Sequence, residues 1–254
     1  MMKITILGSG TSTGVPQIGC QCEVCTSVDD RDRRLRASAM VEVDGVRILI
    51  DCGPDFREQM IRYDHFSRID GVLLTHEHYD HVGGIDDLRP YCAFGDITLY
   101  GDHLTVSDIR TRLPYCFREN PYPGIPRIEL QEVAPHVPFE VGGVEVMPIR
   151  VMHGRLPILG YRIGRMAYIT DLKTLPDEEW NLLEGVDCLI VNALRHEPHD
   201  THQSLDDALA MAKKVKAKQT YFIHMSHHVG LHAATQASLP PDVHLAYDGL
   251  QIEV

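Results

Sequence analysis

The sequence predicts an α/β fold in which two β-sheets pack together and helices cover their outer faces. Alternating apolar segments are paired around tight-turn sequences such as Asp44-Gly45 and Gly142-Gly143, which are hairpin signals. Buried strand-like segments then alternate with helix-like segments along the chain. No linker, repeat or low-complexity stretch divides the 254 residues, so we predict one domain over residues 1–254.

The first half of the chain begins with a short apolar strand that enters a flexible glycine-rich loop (GSGTSTG). The predicted strands are 3–7, 38–43, 47–50, 70–74 and 97–100, and the predicted helices are 56–63 and 104–113. A Pro-rich stretch at 120–126 predicts a surface loop.

The second half repeats the alternation. The predicted strands are 158–163, 166–170, 187–191 and 220–223, with hairpins at 139–149 and 243–254 and helices at 176–184 and 204–215. Ser204 is the predicted N-cap of the last helix, and Asp207 completes a capping box with it. The closing hairpin is predicted to turn at Asp248-Gly249.

Composition narrows the classes of function. The formal net charge is −12, from 24 Lys and Arg against 36 Asp and Glu, which is poorly suited to gripping a long phosphate backbone. Such a charge still permits a small phosphate ester held by bound cations. No stretch approaches 18 apolar residues, so we expect no membrane span. The first ten residues lack the pattern of a signal peptide, so we expect a cytoplasmic protein.

The strongest local signal is segment 75–81 (THEHYDH), directly after a buried strand. His76 and His78 would point to one side of an extended turn, while Asp80 and His81 serve a neighbouring position. Imidazole and carboxylate are ligands of zinc, manganese and iron. A solvated polar turn is the alternative, and four potential ligands within six residues make it the less favoured one.

Three later residues repeat this context, since each has a ligand-capable side chain at the end of a predicted strand. They are His153, Asp171 and His224. The ends of strands are where α/β architectures gather their sites. Together with segment 75–81 they supply seven ligands, about the number that two metals bridged by one carboxylate would need.

This pattern resembles that of the metallo-β-lactamase-fold hydrolases over nearly the whole chain. The resemblance implies an αββα sandwich with a binuclear site at one edge. It also implies that His76, His78 and His153 bind one divalent metal, that Asp80, His81 and His224 bind a second, and that Asp171 bridges both. Zn²⁺ and Mn²⁺ both suit this ligand set.

A second cluster lies near the N-terminus, where Cys20, Cys22 and Cys25 fall within six residues. Structural zinc sites usually have four ligands, and His227 is our candidate for the fourth. Such a site would pin a loop at about 8–36 to the C-terminal part of the fold. Three unpaired core cysteines are the alternative. The other four cysteines are expected to be buried and inert.

The cysteine spacing, the sequence DCG at 51–53 and the pair His224 and His227 narrow the resemblance to the phosphoribosyl cyclic phosphate phosphodiesterases. Their core is similar to that of ribonuclease Z. The resemblance implies that His202, outside the metal shell, protonates the leaving oxygen; a solvated loop histidine is the alternative. The chain departs from the pattern at Asn192, where many relatives carry aspartate.

The function expected from these features is hydrolysis of a small or cyclic phosphodiester, such as a phosphoribosyl cyclic phosphate or a nucleotide, by a metal-bridging hydroxide. His202 would be the general acid, and Asp80 would hold a metal and orient the hydroxide. The alternatives are a ribonuclease Z-like tRNA 3′-processing nuclease, a glyoxalase II-like thioester hydrolase and a metal-binding scaffold without turnover. Nucleic acid is not expected as a partner, and the oligomeric state stays open, a homodimer included.

Overall fold

The structure is a computed structural model that describes residues 1–118 and 124–254. Most of the predicted loop at 120–126 therefore lies outside the described residues. Fourteen strands are defined in the described residues. They are β1 Met2–Gly8, β2 Ser38–Val43, β3 Val46–Ile50, β4 Gly71–Leu73, β5 Ile97–Gly101, β6 Ile128–Glu132, β7 Phe139–Val141, β8 Val144–His153, β9 Leu156–Ile163, β10 Met166–Ile169, β11 Cys188–Asn192, β12 Gln219–Ile223, β13 Val243–Leu245 and β14 Gln251–Glu253.

The strands form two seven-stranded mixed sheets. The order in the first sheet is β14-β1-β2-β3-β4-β5-β6, and in the second it is β13-β12-β11-β10-β9-β8-β7. Strands β3 to β6 are parallel to one another, as are β10 to β13. The carboxyl ends of parallel strands reach the same edge of a sheet, so polar residues that follow them are brought together.

The helices lie outside the two sheets. They are α1 Phe56–Tyr63, α2 Tyr79–Val82, α3 His103–Arg112, α4 Leu205–Val215 and α5 His232–Ser238, with 3-10 helices at Asp30–Asp32, Ile85–Phe94, Pro114–Phe117, Asp177–Leu183 and His227–Val229. Ser204 caps α4, and the predicted capping box with Asp207 is present. None of the described helices has both the length and the apolar character that crossing a membrane requires.

Alternation along the strands explains the layers. Ile4, Ile48 and Ile50 face the core between the sheets, where they meet Tyr161 and Tyr168 of the second sheet. The intervening positions face outward and are covered by α1, α3 and Ile85–Phe94 on one side and by α4 on the other. Each sheet is therefore buried on both faces, and the fold is the expected αββα sandwich.

The closing hairpin predicted at 243–254 is wrong. β13 pairs with β12 in the second sheet, whereas β14 pairs with β1 in the first. Long-range hydrogen bonds fix the turn between them. Asp248 in this turn accepts hydrogen bonds from Ser9 N–H and Oγ and from Leu35 N–H. These donors hold the turn against the first sheet, so the chain crosses between the sheets at this point.

Two other predictions change in detail. The helix predicted at 176–184 is a 3-10 helix over Asp177–Leu183. The metal-ligand segment is not extended throughout, because it becomes helical at Tyr79, the first residue of α2.

Candidate metal centre

The candidate centre lies just after the carboxyl end of β4, where the backbone that follows this strand contacts the second sheet. Tyr161 donates a hydrogen bond to the carbonyl of Leu74 over 2.6 Å, and Leu159 N–H donates to the carbonyl of Thr75 over 2.9 Å. The second sheet therefore fixes the backbone that enters segment 75–81. The sequence places the ligands after a buried strand, and β9 holds them there.

The first predicted set, His76, His78 and His153, offers three imidazole nitrogens within 4.8 Å of one another. His76 Nε2 lies 2.9 Å from His78 Nδ1. His153 Nδ1 lies 3.0 Å from the carbonyl of Asp171 and 2.9 Å from that of Thr201. An N–H at this atom donates to the carbonyls and leaves Nε2 of His153 as a ligand, the usual arrangement of a metal-binding histidine.

The second predicted set also comes together, since Asp80, His81, Asp171 and His224 each offer a ligand atom within 4.8 Å. His81 Nε2 lies 3.2 Å from Asp80 Oδ2 and 3.3 Å from Asp171 Oδ2. His224 Nε2 lies 3.5 Å from Asp80 Oδ2 and 3.2 Å from Asp171 Oδ1. Asp171 also groups with His153 of the first set, so it stands between the two sets.

Asp51 also belongs to the centre, although its place in the DCG segment predicted no role for it there. Its Oδ2 lies 2.7 Å from His81 Nδ1, and its Oδ1 accepts a hydrogen bond from Thr75 N–H over 2.8 Å. A carboxylate behind a ligand histidine fixes the ring and its tautomer. The available signal was an aspartate directly after a buried strand, but its partner His81 is 30 residues away.

The donor set fits a bound cation. With the His81 Nδ1 proton donated to Asp51, the lone pair on Nε2 points at two carboxylates, and this buried atom has no hydrogen-bond partner among the described residues. Neither ring nitrogen of His224 has one. Carboxylate oxygens and imidazole lone pairs repel one another unless positive charge lies between them. The residues present therefore suit divalent metal ions, as the resemblance to the metallo-β-lactamase-fold hydrolases implies.

The pKa values of His81 and Asp171 also indicate a site for positive charge. Burial disfavours a charged imidazole, but the carboxylates of Asp171, Asp51 and Asp80 outweigh burial and raise the pKa of His81 well above its ordinary value. Burial also opposes ionisation of Asp171, yet His224 and His81 hold the pKa of that carboxyl well below its usual range. Protons and metal ions compete for such a centre, so metal affinity falls as the pH falls.

The backbone of the centre is strained. Six non-glycine residues among those described have positive φ, and three of them are Asp51 (60°), Asp171 (53°) and His224 (53°). Left-handed backbone at a non-glycine residue costs free energy and persists where the surroundings impose it. Each of the three directly follows or closely follows a parallel strand, where this backbone turns the side chain into the centre.

Asn192, the departure from the family pattern, supports Asp171 from behind. Its Oδ1 accepts a hydrogen bond from Leu172 N–H over 2.7 Å, and its Nδ2 donates to the carbonyl of the same residue over 3.1 Å. An ionised aspartate can accept the first bond but cannot donate the second. The amide therefore clamps the residue after Asp171, which is a structural role.

His202 lies beside the two metal-ligand sets. Its Nε2 is 3.0 Å from Asp171 Oδ1, and its Nδ1 lies 2.9 Å from Thr201 Oγ1 and 3.2 Å from His199 Nδ1. Burial lowers the pKa of His202 to about 4, although Asp171 opposes the shift. His202 is therefore not a solvated loop histidine. His199 was not predicted as its neighbour.

The cysteine cluster and His227 also meet, since their four ligand atoms lie within 4.8 Å of one another. His227 Nδ1 is 3.3 Å from Cys22 Sγ and 3.6 Å from Cys20 Sγ. A backbone N–H at Cys25, together with Cys20 and His227, lowers the pKa of Cys22 to about 6, which favours the thiolate that zinc binds. The structure brings together the four predicted ligands, and a structural zinc bound by them stays a prediction.

Comparison with known proteins identifies the family. A family model described as the β-lactamase superfamily domain matches residues 46–225. The crystal structure of a diphosphatase of the PhnP family superimposes with a TM-score of 0.92 at 42% identity, over 99% of this chain and 96% of that one. The chain belongs to the PhnP family of the β-lactamase superfamily. Its fold is that of the superfamily.

Two further similar proteins differ more from this chain, one in length and the other in sequence. A protein of Porphyromonas gingivalis named octanoyltransferase is 48% identical over 252 residues, which cover 98% of this chain and 51% of that protein. The chain thus spans about half the length of that relative. Zn²⁺-bound PqqB of Methylobacterium extorquens has a TM-score of 0.81 at 21% identity, over 99% of this chain and 100% of that one, and shows the shared fold.

Replacing the bridging candidate, Asp171→Ala, should remove at least one of the two expected metals, because Asp171 lies between both ligand sets. Mass spectrometry of metals in dialysed protein measures the content per chain. Asp187→Ala, at a surface ion pair with Arg165, is the matched control and should keep the wild-type content. Two fully retained metals in Asp171→Ala would overturn the assignment.

Replacing one thiolate, Cys22→Ser, should lower the zinc content by about one per chain and lower the melting temperature, since the cluster ties the N-terminal loop to His227. Cys116→Ser is the matched control, because this buried cysteine lies outside both clusters. Zinc analysis and thermal unfolding provide the two measurements. If Cys22→Ser changes neither, there is no zinc site at this cluster.

Proposed function

We propose that the chain is a metal-dependent phosphodiesterase that hydrolyses a small cyclic phosphodiester, such as a phosphoribosyl cyclic phosphate or a cyclic nucleotide. The observation that carries the proposal is the position of His202 next to Asp171, close to both ligand sets but needed by neither. The 42% identity to a diphosphatase over nearly the full chain favours chemistry at phosphorus.

The two metal ions would supply an activated water and neutralise charge on the phosphoryl oxygens. Asp80, within 3.2 Å of His81, would help to hold one metal and orient the attacking water. His202 would donate its proton to the departing oxygen, which is general acid catalysis. The buried imidazole is neutral in the free protein, and the negative charge of a phosphodiester beside it would favour its protonated form.

A tRNA 3′-processing nuclease has a similar metal set and is the nearest alternative. It also needs an extended basic surface to hold the RNA, because affinity for a phosphate backbone depends on Lys and Arg. The net charge of −12 opposes such a surface. A small substrate held by the metal centre makes no such demand.

Thioester chemistry is the second candidate, and the relative named octanoyltransferase favours it. That relative is about twice as long as the part matched here, so its transferase activity is not assigned to either half by the comparison. A covalent acyl transfer would need an accessible nucleophile. Cys52, next to Asp51, is fully buried, and burial raises its pKa well above its ordinary value, so it is not a thiolate at this centre.

A substrate panel with added Mn²⁺ or Zn²⁺ tests the proposal. The panel contains a cyclic ribose phosphate, bis(p-nitrophenyl) phosphate, an octanoyl thioester and a pre-tRNA. We expect kcat/KM to be highest for the cyclic phosphate and to collapse in Asp171→Ala. A higher kcat/KM for the thioester or for the pre-tRNA would reject phosphodiester hydrolysis of small molecules as the function.

The role of His202 predicts a dependence on the leaving group. His202→Ala should lower the rate on a cyclic ribose phosphate by about 10²–10⁴-fold, the usual contribution of general acid catalysis. The loss should be much smaller for bis(p-nitrophenyl) phosphate, because p-nitrophenolate departs without a proton. Both rates are measured together with the metal content, which should stay at the wild-type value.

His65→Ala serves as the control, because this histidine is exposed and belongs to none of the ligand groups. Equal losses on both substrates in His202→Ala would assign His202 to positioning rather than proton transfer. Loss of a metal in the same variant would make His202 a ligand, since its Nε2 also groups with His153 and Asp171.

A further inference from the structure

A second cavity, of about 620 Å³, lies apart from the metal ligands and between the N-terminal loop, α1 and the turn after β13. None of the eleven proposed metal ligands lines it. Its wall contains four arginines and two tyrosines, which are Arg31, Arg33, Arg34, Arg62, Tyr63 and Tyr247. Its volume is in the range of small-molecule sites.

The charge of this cavity contrasts with that of the chain. Four guanidinium groups line it against the carboxyl groups of Asp30 and Asp248, whereas the whole chain carries a net charge of −12. Asp248 already accepts hydrogen bonds from Ser9 and Leu35, and burial raises its pKa to about 6. Asp248 acts on Arg34 through its charge, but it forms no direct ion pair with any of the four arginines among the described residues.

Only two of the four arginines that line the cavity form ion pairs among the described residues. Arg31 pairs with Asp29, and Arg62 pairs with Glu58. Among the ion pairs of the described residues, none involves Arg33 or Arg34. Arg34 is only 3% exposed, and the nearby carboxylates of Asp248, Asp32 and Asp29 act on it without a direct ion pair.

The hydrogen bonds of Arg34 leave donors free. It donates from Nη1 to Ser9 Oγ over 3.2 Å and to the carbonyl of Ala246 over 2.8 Å, and from Nη2 to His232 Nδ1 over 3.3 Å. These neutral acceptors occupy three of the five N–H groups of a guanidinium. Burial, together with Arg34, lowers the pKa of His232 to about 4, so His232 stays neutral and adds no charge to oppose an anion.

We propose that this cavity binds a phosphate monoester of nucleotide size, separately from the reaction at the metal centre. Arginine is the side chain best suited to phosphate, because its planar fork donates two parallel hydrogen bonds. Arg33 and Arg34 supply positive charge, and neither forms a direct ion pair with a carboxylate among the described residues. Tyr63 and Tyr247 supply aromatic faces for the organic part of the ligand, and the cavity is larger than phosphate alone requires.

The cavity wall is also connected to the metal centre through the backbone. Ser9, which accepts the Arg34 hydrogen bond, accepts a second one at its carbonyl from Met225 N–H over 3.0 Å. Met225 directly follows the metal-ligand candidate His224. A ligand on Arg34 would therefore contact a side chain that is hydrogen-bonded to Ser9, and the backbone of Ser9 is bonded to the segment that carries His224.

Calorimetric titration of the metal-loaded protein with AMP, inorganic phosphate and adenosine tests the proposal. AMP should bind more tightly than either of the other two. Arg33→Ala should weaken AMP binding about tenfold, the effect of losing a hydrogen bond to a charged group. Arg57→Ala is the matched control, since this exposed arginine on α1 does not line the cavity.

Both variants should keep the wild-type kcat/KM on bis(p-nitrophenyl) phosphate, because neither residue belongs to the metal centre. An unchanged AMP affinity in Arg33→Ala, or no AMP binding at all, would overturn the proposal. Phosphate that binds as tightly as AMP would overturn the nucleotide-sized ligand. These outcomes are independent of the substrate panel, so this proposal and the proposed function fail separately.

Discussion

The contact on which the rest of the structure depends is that between the buried carboxylates of Asp80 and Asp171 and the Nε2 atoms of His81 and His224. The atoms concerned are electron-pair donors that lie 3.2–3.5 Å apart, and none of the four side chains is more than 13% exposed. Positive charge must lie between them, because an isolated buried carboxylate costs several kcal/mol or more. The strained backbone at Asp51, Asp171 and His224 and the clamp from Asn192 are the means by which the fold keeps them in place.

The two candidate metal sites also take ligands from the same short segment of the chain. His224 belongs to the candidate metal centre and His227 to the cysteine cluster, while Met225 between them forms backbone hydrogen bonds with Ser9 and Thr11 of the N-terminal loop. These hydrogen bonds hold the loop, and the predicted zinc would hold it a second time through the cysteines. Only Met225 and Ser226 separate the two candidate sites along the chain.

The distribution of charge also has a functional meaning. An acidic chain repels long polyanions, but an anion of small size needs only local positive charge, which metal ions and unpaired guanidinium groups provide. The candidate metal centre and the arginine-lined cavity are two such places, and a backbone hydrogen bond between Ser9 and Met225 lies between them along the chain of contacts. On the two proposals, each of these places would bind a small phosphate ester.

Local patterns in the sequence by itself predicted most strands, the helices α1, α3 and α4, and the eleven candidate metal ligands that the structure brings together. Alternation, a capping box, closely spaced cysteines and ligands after apolar strands are all local signals. Only the tertiary structure decided the separation of β13 and β14, which depends on Asp248 meeting donors more than 200 residues away. The same holds for the partnership of Asp51 with His81, the clamp by Asn192 and the arginine-lined cavity. Each of these joins side chains distant in sequence, and no local pattern specifies which distant donor a buried carboxylate or guanidinium will meet.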